Sequence, residues 1–123
     1  MNKKKIQLQL VDIIVPYMAL LNNKEPQILV KCSPDFGEWF ASLNLKDQLQ
    51  IDARVQRIRD YGHFGDVKNL GHGLAELRWK NGRRVYFCRI DKVVILLLNG
   101  GLKNAQKKDI QKAQILLERY TCR

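Results

Sequence analysis

Glu76, Arg78 and Lys80, then Asn81-Gly82, then Arg84, Tyr86 and Cys88 occupy alternate positions of two strand-like runs. Two guanidinium groups, an ammonium, a carboxylate and a phenol on one rigid surface can hold a phosphodiester, neutralise charge on its oxygens during displacement and move protons. Asn-Gly between such runs predicts a tight hairpin of type I′, whose central residues both need positive φ. Because strand side chains alternate, Leu77, Trp79, Val85 and Phe87 are expected on a core face. Glu76, Arg78, Arg84 and Tyr86 then share the opposite, cationic face, where a polyanion such as RNA can lie.

The elements that must position this hairpin are legible on both sides of it. Ile28 to Cys32 reads as a short strand, and Ser33-Pro34-Asp35 as a helix start with a cap, a first-turn proline and an acid near the positive helix end. Phe36, Trp39, Phe40 and Leu43 follow at the spacing of one apolar stripe and are expected in the core. A second helix is predicted from Lys46 to about Asp60, ended by Tyr61-Gly62, with Ile51, Val55 and Ile58 inward and Arg54, Arg57 and Arg59 mostly outward. Residues 62–73 read as a glycine-rich loop that matches no phosphate-loop pattern. After the hairpin, Val93 to Leu98 is an aliphatic run suited to a central strand buried on both faces, followed by a Gly100-Gly101 bend and Lys103. A last helix, about Asn104 to Tyr120, buries Ile110, Ala113 and Leu117 and shows Lys107, Lys108 and Lys112 outward. The order strand, helix, helix, three-strand meander, helix predicts a small α+β domain with the helices on one face of an antiparallel-rich sheet and the other face left for a ligand.

Composition narrows the function classes. A net charge of +10 on 123 residues favours acidic partners, nucleic acid foremost. The length suits one folded domain, residues 27–123, preceded by an amino-terminal extension, residues 1–26, whose role the pattern does not define. Cys32, Cys88 and Cys122 are far apart and form no metal-ligand spacing, so a disulfide framework and a zinc site are not expected; Cys32 and Cys88 read as small packed residues of a reducing, cytoplasmic compartment. Lys3, Lys4 and Lys5 precede an apolar stretch, but Gln7, Gln9 and Asp12 interrupt it and no small-residue cleavage site follows, so secretion is not expected. The run from Ile13 to Leu21 is shorter than the ~20 residues that span a bilayer.

Six segments carry a family resemblance: Phe36-Gly37-Glu38-Trp39, Phe64-Gly65-Asp66-Val67-Lys68, Glu76-Leu77-Arg78, Arg84-Val85-Tyr86-Phe87, Gly100-Gly101-Leu102-Lys103 and Gln106-Lys107-Lys108-Asp109-Ile110. In order and spacing, the chain from about residue 27 to 120 resembles the RelE/HigB toxin superfamily, most closely its phage-derived, HigB-like branch of addiction module killer proteins. The resemblance implies the toxin of a type II toxin–antitoxin pair, silenced by a HigA-like DNA-binding antitoxin. It also implies an endoribonuclease that cuts messenger RNA, usually on the ribosome, by attack of a 2′-hydroxyl on the adjacent phosphodiester, without a metal or other cofactor. By the same resemblance Arg84 and Arg78 clamp the phosphate and Lys68 and Lys103 add charge. Tyr86 stacks on a base or passes a proton, and Glu76 orients an arginine or acts as base. Lys80, Arg54, Arg57 and Lys107 are the further RNA-contact candidates, with a solvated helix face as the plainer reading of the two arginines. His63 and His72 are of the residue type most often used as a general base, but read as solvated loop residues. The turn Trp79 to Arg83 is shorter than in many relatives, and Leu102 stands where an acid is usual. A non-catalytic inhibitor of DNA gyrase like the related ParE toxins, or an inactive RNA-binding relative, are the alternatives. A homodimer or a toxin–antitoxin hetero-oligomer fits either reading.

Overall fold

The computed structural model describes residues 27–121; the amino-terminal extension and Cys122 lie outside the described residues. Strand β1 (Leu29–Cys32) leads into helix α1 (Pro34–Ala41) and then α2 (Leu45–Tyr61). Strands β2 (Val67–Gly71), β3 (Leu74–Arg78), β4 (Arg83–Asp91) and β5 (Val94–Leu102) form an antiparallel meander, and α3 (Gln106–Thr121) closes the chain after a short 3-10 turn, Lys103–Ala105. The five-stranded sheet has the order β1-β5-β4-β3-β2, with β1 parallel to β5, so the fold is α+β with a mixed sheet.

The helix signals act where the sequence places them. The Ser33 hydroxyl accepts from the Phe36 amide at 3.0 Å and donates to the Leu98 carbonyl at 2.6 Å, capping α1 and tying it to β5 at once. Asn44 caps α2 through the Asp47 amide at 2.8 Å, and Gly62 ends it at φ 69° in the left-handed conformation that favours glycine.

Several expectations need correction. First, the glycine-rich loop contains β2, so the meander has four strands rather than three. Val67 to Gly71 is an edge strand with Leu70 its most covered side chain, so it lacks the apolar alternation that marks a half-buried strand. Second, the turn types are exchanged. His72 at φ 56° and Gly73 at φ 83° supply the two positive φ angles of the tight turn between Gly71 and Leu74. At the predicted type I′ site only Gly82 is positive, at φ 96°, and its amide donates to the Trp79 carbonyl at 3.0 Å. That is a Lys80-Asn81 turn followed by a glycine bulge. The register still pairs Glu76 with Tyr86 and Arg78 with Arg84, so the two faces of the hairpin are as expected.

Third, the helices lie on both faces. Val30, Phe36, Phe40, Ile51, Val55, Ile58, Leu77, Val85 and Phe87 form the core between the sheet and α1–α2. Leu74, Tyr86, Cys88, Leu96, Leu98, Ala113 and Leu116 form a second core beneath α3. Amphipathic α3 must bury its stripe, and the aliphatic residues of β5 that alternate between the two cores give it the apolar surface to do so. The face expected to be left open is therefore half covered.

Gly100 and Gly101 are strand residues rather than a bend. A Cβ at Gly100 would collide with the Trp39 indole, and one at Gly101 with the Asp109 carboxylate on the opposite face. Gly100→Val should therefore destabilise the domain by about 1–3 kcal/mol, as overpacking does, read as a lower urea midpoint at unchanged slope.

Candidate nucleic-acid interface

Glu76 is the centre of the cationic face, and it is fully buried. Its Oε1 lies 4.0 Å from Nε of Arg78, and its Oε2 lies 3.8 Å from Nε of Arg84. Gln106, in the first turn of α3, donates to the same Oε2 at 2.6 Å. Two guanidinium groups and a donor amide are thus gathered round a carboxylate that has lost its contact with water.

The two arginines are not equivalent. Arg84 is 5% exposed and donates to the carbonyls of Trp79 at 3.3 Å and Arg83 at 3.1 Å, which fixes it under the hairpin turn. The Arg78 side chain is 38% exposed and is the member of the pair that reaches solvent. Tyr86, beside them on β4, is fully buried beneath α3, so its ring cannot stack on a base in this arrangement. Burial, and next the Glu76 carboxylate, push its phenol above its ordinary value against the opposing Arg84, so it keeps its proton at neutral pH. A bulge between Tyr86 and Phe87 turns both Leu98 and Asn99 towards α3, where the Asn99 amide donates to the Asp109 carbonyl at 3.0 Å.

Arg78 Nε, Arg84 Nε and Asn99 Oδ1 are buried atoms with no hydrogen-bond partner among the described residues. Such atoms are uncommon in a folded core.

The other sequence candidates surround this centre at different removes. Lys68 is exposed on β2 in register with Glu76, and so extends the same row of the sheet. Lys103 donates its amide to the Gly82 carbonyl at 2.7 Å and shares with Lys80, Asn81 and Leu102 a shallow cleft of roughly 580 Å³ at the hairpin tip. Lys107 is exposed on α3. Arg57 is exposed on α2, across the sheet.

Arg54 and Arg59 are not outward residues. Arg54 is 7% exposed and donates to the carbonyls of Phe64 at 2.9 Å, Asp66 at 2.6 Å and Arg78 at 2.5 Å, stitching α2 to the start of β2 and the end of β3. Arg59 is also buried. His63 and His72 are exposed, one in the loop after α2 and the other in the β2–β3 turn. Gln106 opens one of the six family segments but carries no charge, so its hold on Glu76 was not readable from sequence. Among the described residues no group of His, Cys, Asp and Glu is placed to hold a metal ion, and no helix is long and apolar enough to cross a membrane.

Comparison with known proteins places this geometry in a family. The chain is similar to an uncharacterized protein of Haemophilus influenzae, 38% identical over 94 residues that cover 74% of this chain and 94% of that protein. No solved structure matches. Residues 38–121 match the model of the phage-derived protein Gp49-like family, a span that holds the whole meander, Glu76, both arginines and Gln106. The chain therefore belongs to the phage-derived Gp49-like family, a family of addiction-module, toxin-like proteins.

Proposed function

We propose that this protein is a RelE/HigB-like endoribonuclease, the toxin of a toxin–antitoxin pair, which cuts messenger RNA on the ribosome. The observation that carries this reading is the half-exposed Arg78, set against the wholly buried Glu76 that also holds Arg84 on a rigid sheet. A guanidinium that reaches solvent beside a bound phosphate can stabilise the charge that develops on its oxygens.

In the reaction, the 2′-hydroxyl oxygen bonds to the adjacent phosphorus as the bond to the 5′-oxygen breaks, leaving a 2′,3′-cyclic phosphate and a 5′-hydroxyl end. The attacking hydroxyl loses a proton and the departing oxygen gains one. Arg78 meets the phosphate oxygens, with Lys68, Lys103 and Lys107 adding positive charge around it. Glu76, Arg84 and Gln106 act through Arg78, and Tyr86 braces the carboxylate from within the core. The antitoxin partner fits the same surface: an acidic segment laid across Lys68, Arg78 and Lys103 closes it to RNA. A HigA-like DNA-binding protein encoded beside it is the expected source of that segment.

Mapping 5′-hydroxyl RNA ends across the transcriptome after induction in bacteria tests the reading. New ends within translated codons are the expected outcome. Growth arrest with no new ends would overturn the nuclease and point to a protein target such as gyrase.

A further inference from the structure

Trp79 follows Arg78 directly, and only part of its indole is used in packing. The ring is half-buried against the α1–α2 core. One side of it is covered by the Arg54 guanidinium, whose central carbon sits 4.4 Å from the ring centroid. Arg54 cannot swing away, because its three nitrogens are each bonded to a backbone carbonyl. Such a cation fixes the indole plane and polarises it.

The remaining part of the indole forms a wall of a cleft of roughly 450 Å³ between α2 and the hairpin tip, lined also by Gln50, Ala53, Arg57, Lys80 and Asn81. These side chains have a definite chemistry. The wall is aromatic, the floor at Ala53 is small, and Arg57 and Lys80 are exposed cations at the rim. Gln50 and Asn81 bring two amides that share one long bond of 3.4 Å; Asn81 Oδ1 also accepts from the Arg83 amide at 3.0 Å, which leaves chiefly amide donors for a ligand. A flat heteroaromatic ring with an attached phosphate uses all of these features. An apolar ligand would leave the cations and amides unused.

We propose that this cleft is a nucleobase subsite, which takes one unpaired base of an RNA strand against Trp79 while Arg57 and Lys80 meet its phosphate. The proposal rests on the reading of the protein as acting on RNA, and adds a second point of contact on the opposite face of the sheet from Arg78. Lys80 and Asn81 line both this cleft and the hairpin-tip cleft that holds Lys103, so the two clefts adjoin at the tip. A strand gripped at Arg78 can pass round the tip and seat a neighbouring base on Trp79.

The test uses the full chain and an unstructured RNA dodecamer carrying 2′-O-methyl groups, which cannot be cleaved. Affinity is read by fluorescence anisotropy at low salt, and tryptophan emission is followed in the same titration. Ala53→Leu fills the cleft from an exposed helix position and should leave the thermal midpoint near that of the wild type. Loss of one stacked base should weaken binding by about 5- to 100-fold. Wild-type emission should be quenched on binding, and the quench should vanish in Trp79→Phe, which keeps a stacking ring and most of the packing. Equal affinity of Ala53→Leu and wild type, or a quench that survives in Trp79→Phe, would overturn the subsite while leaving the nuclease reading intact. A wild-type protein that binds no dodecamer would overturn the subsite, whereas the nuclease reading stands or falls on the map of 5′-hydroxyl ends.

Discussion

Arg78→Ala should lower RNA cleavage by about 10²–10³-fold while leaving the fold intact, the loss typical of one preorganised donor to developing charge. The stability change should be small, because the side chain is 38% exposed and its closest approach to Glu76 is 4.0 Å. Arg78→Lys should recover part of the activity, since an ammonium supplies charge but not the planar fork. Arg84→Ala serves as the contrast. It removes the buried partner of a buried carboxylate, so activity and thermal midpoint should fall together. Single-turnover cleavage of a defined message on programmed ribosomes, with melting curves of the same preparations, checks both variants. Full activity in Arg78→Ala would remove that residue from the site.

The second large effect is on the scaffold. Arg54→Met should cost about 3–5 kcal/mol of stability, although Met fills much of the same volume. Three carbonyls, those of Phe64, Asp66 and Arg78, lose their charged donor together. Burial already draws the Arg54 pKa below its ordinary value, with Asp66 opposing, so the site bears the desolvation of a cation for the sake of these bonds. At about 4 °C or more per kcal/mol for a domain of this size, the thermal midpoint should drop by more than 10 °C. A variant that melts with the wild type would show that the loop before β2 does not depend on α2.

The hairpin faces were legible because alternation is a property of the strand itself, independent of the turn that joins the pair. Even with the turn type exchanged, Glu76, Arg78, Arg84 and Tyr86 share one face. The cap of α1 was legible for a like reason: Ser33 acts on an amide within three residues. What sequence did not disclose is long-range. Arg54 looks like any helix arginine until the carbonyls that it bonds are brought to it from residues 64, 66 and 78. Tyr86 looks like an exposed phenol until α3 folds across it. The strand β2 was hidden because its own side chains bury little, and its existence depends on the ladder that β3 offers.

Gly100 and Gly101 leave β5 bare on both sides, with Trp39 pressed on one and Asp109 on the other. The partition between the two halves of the domain is there a single backbone thick. Asp109 accepts from Asn99 and lies one helical turn past Gln106, so the two faces are geared to each other at that point. Over evolutionary drift, positions 39, 100, 101 and 109 should therefore be inherited as a set. A lineage that trades the indole for a smaller ring gains room for a side chain at position 100, and one that keeps it has none.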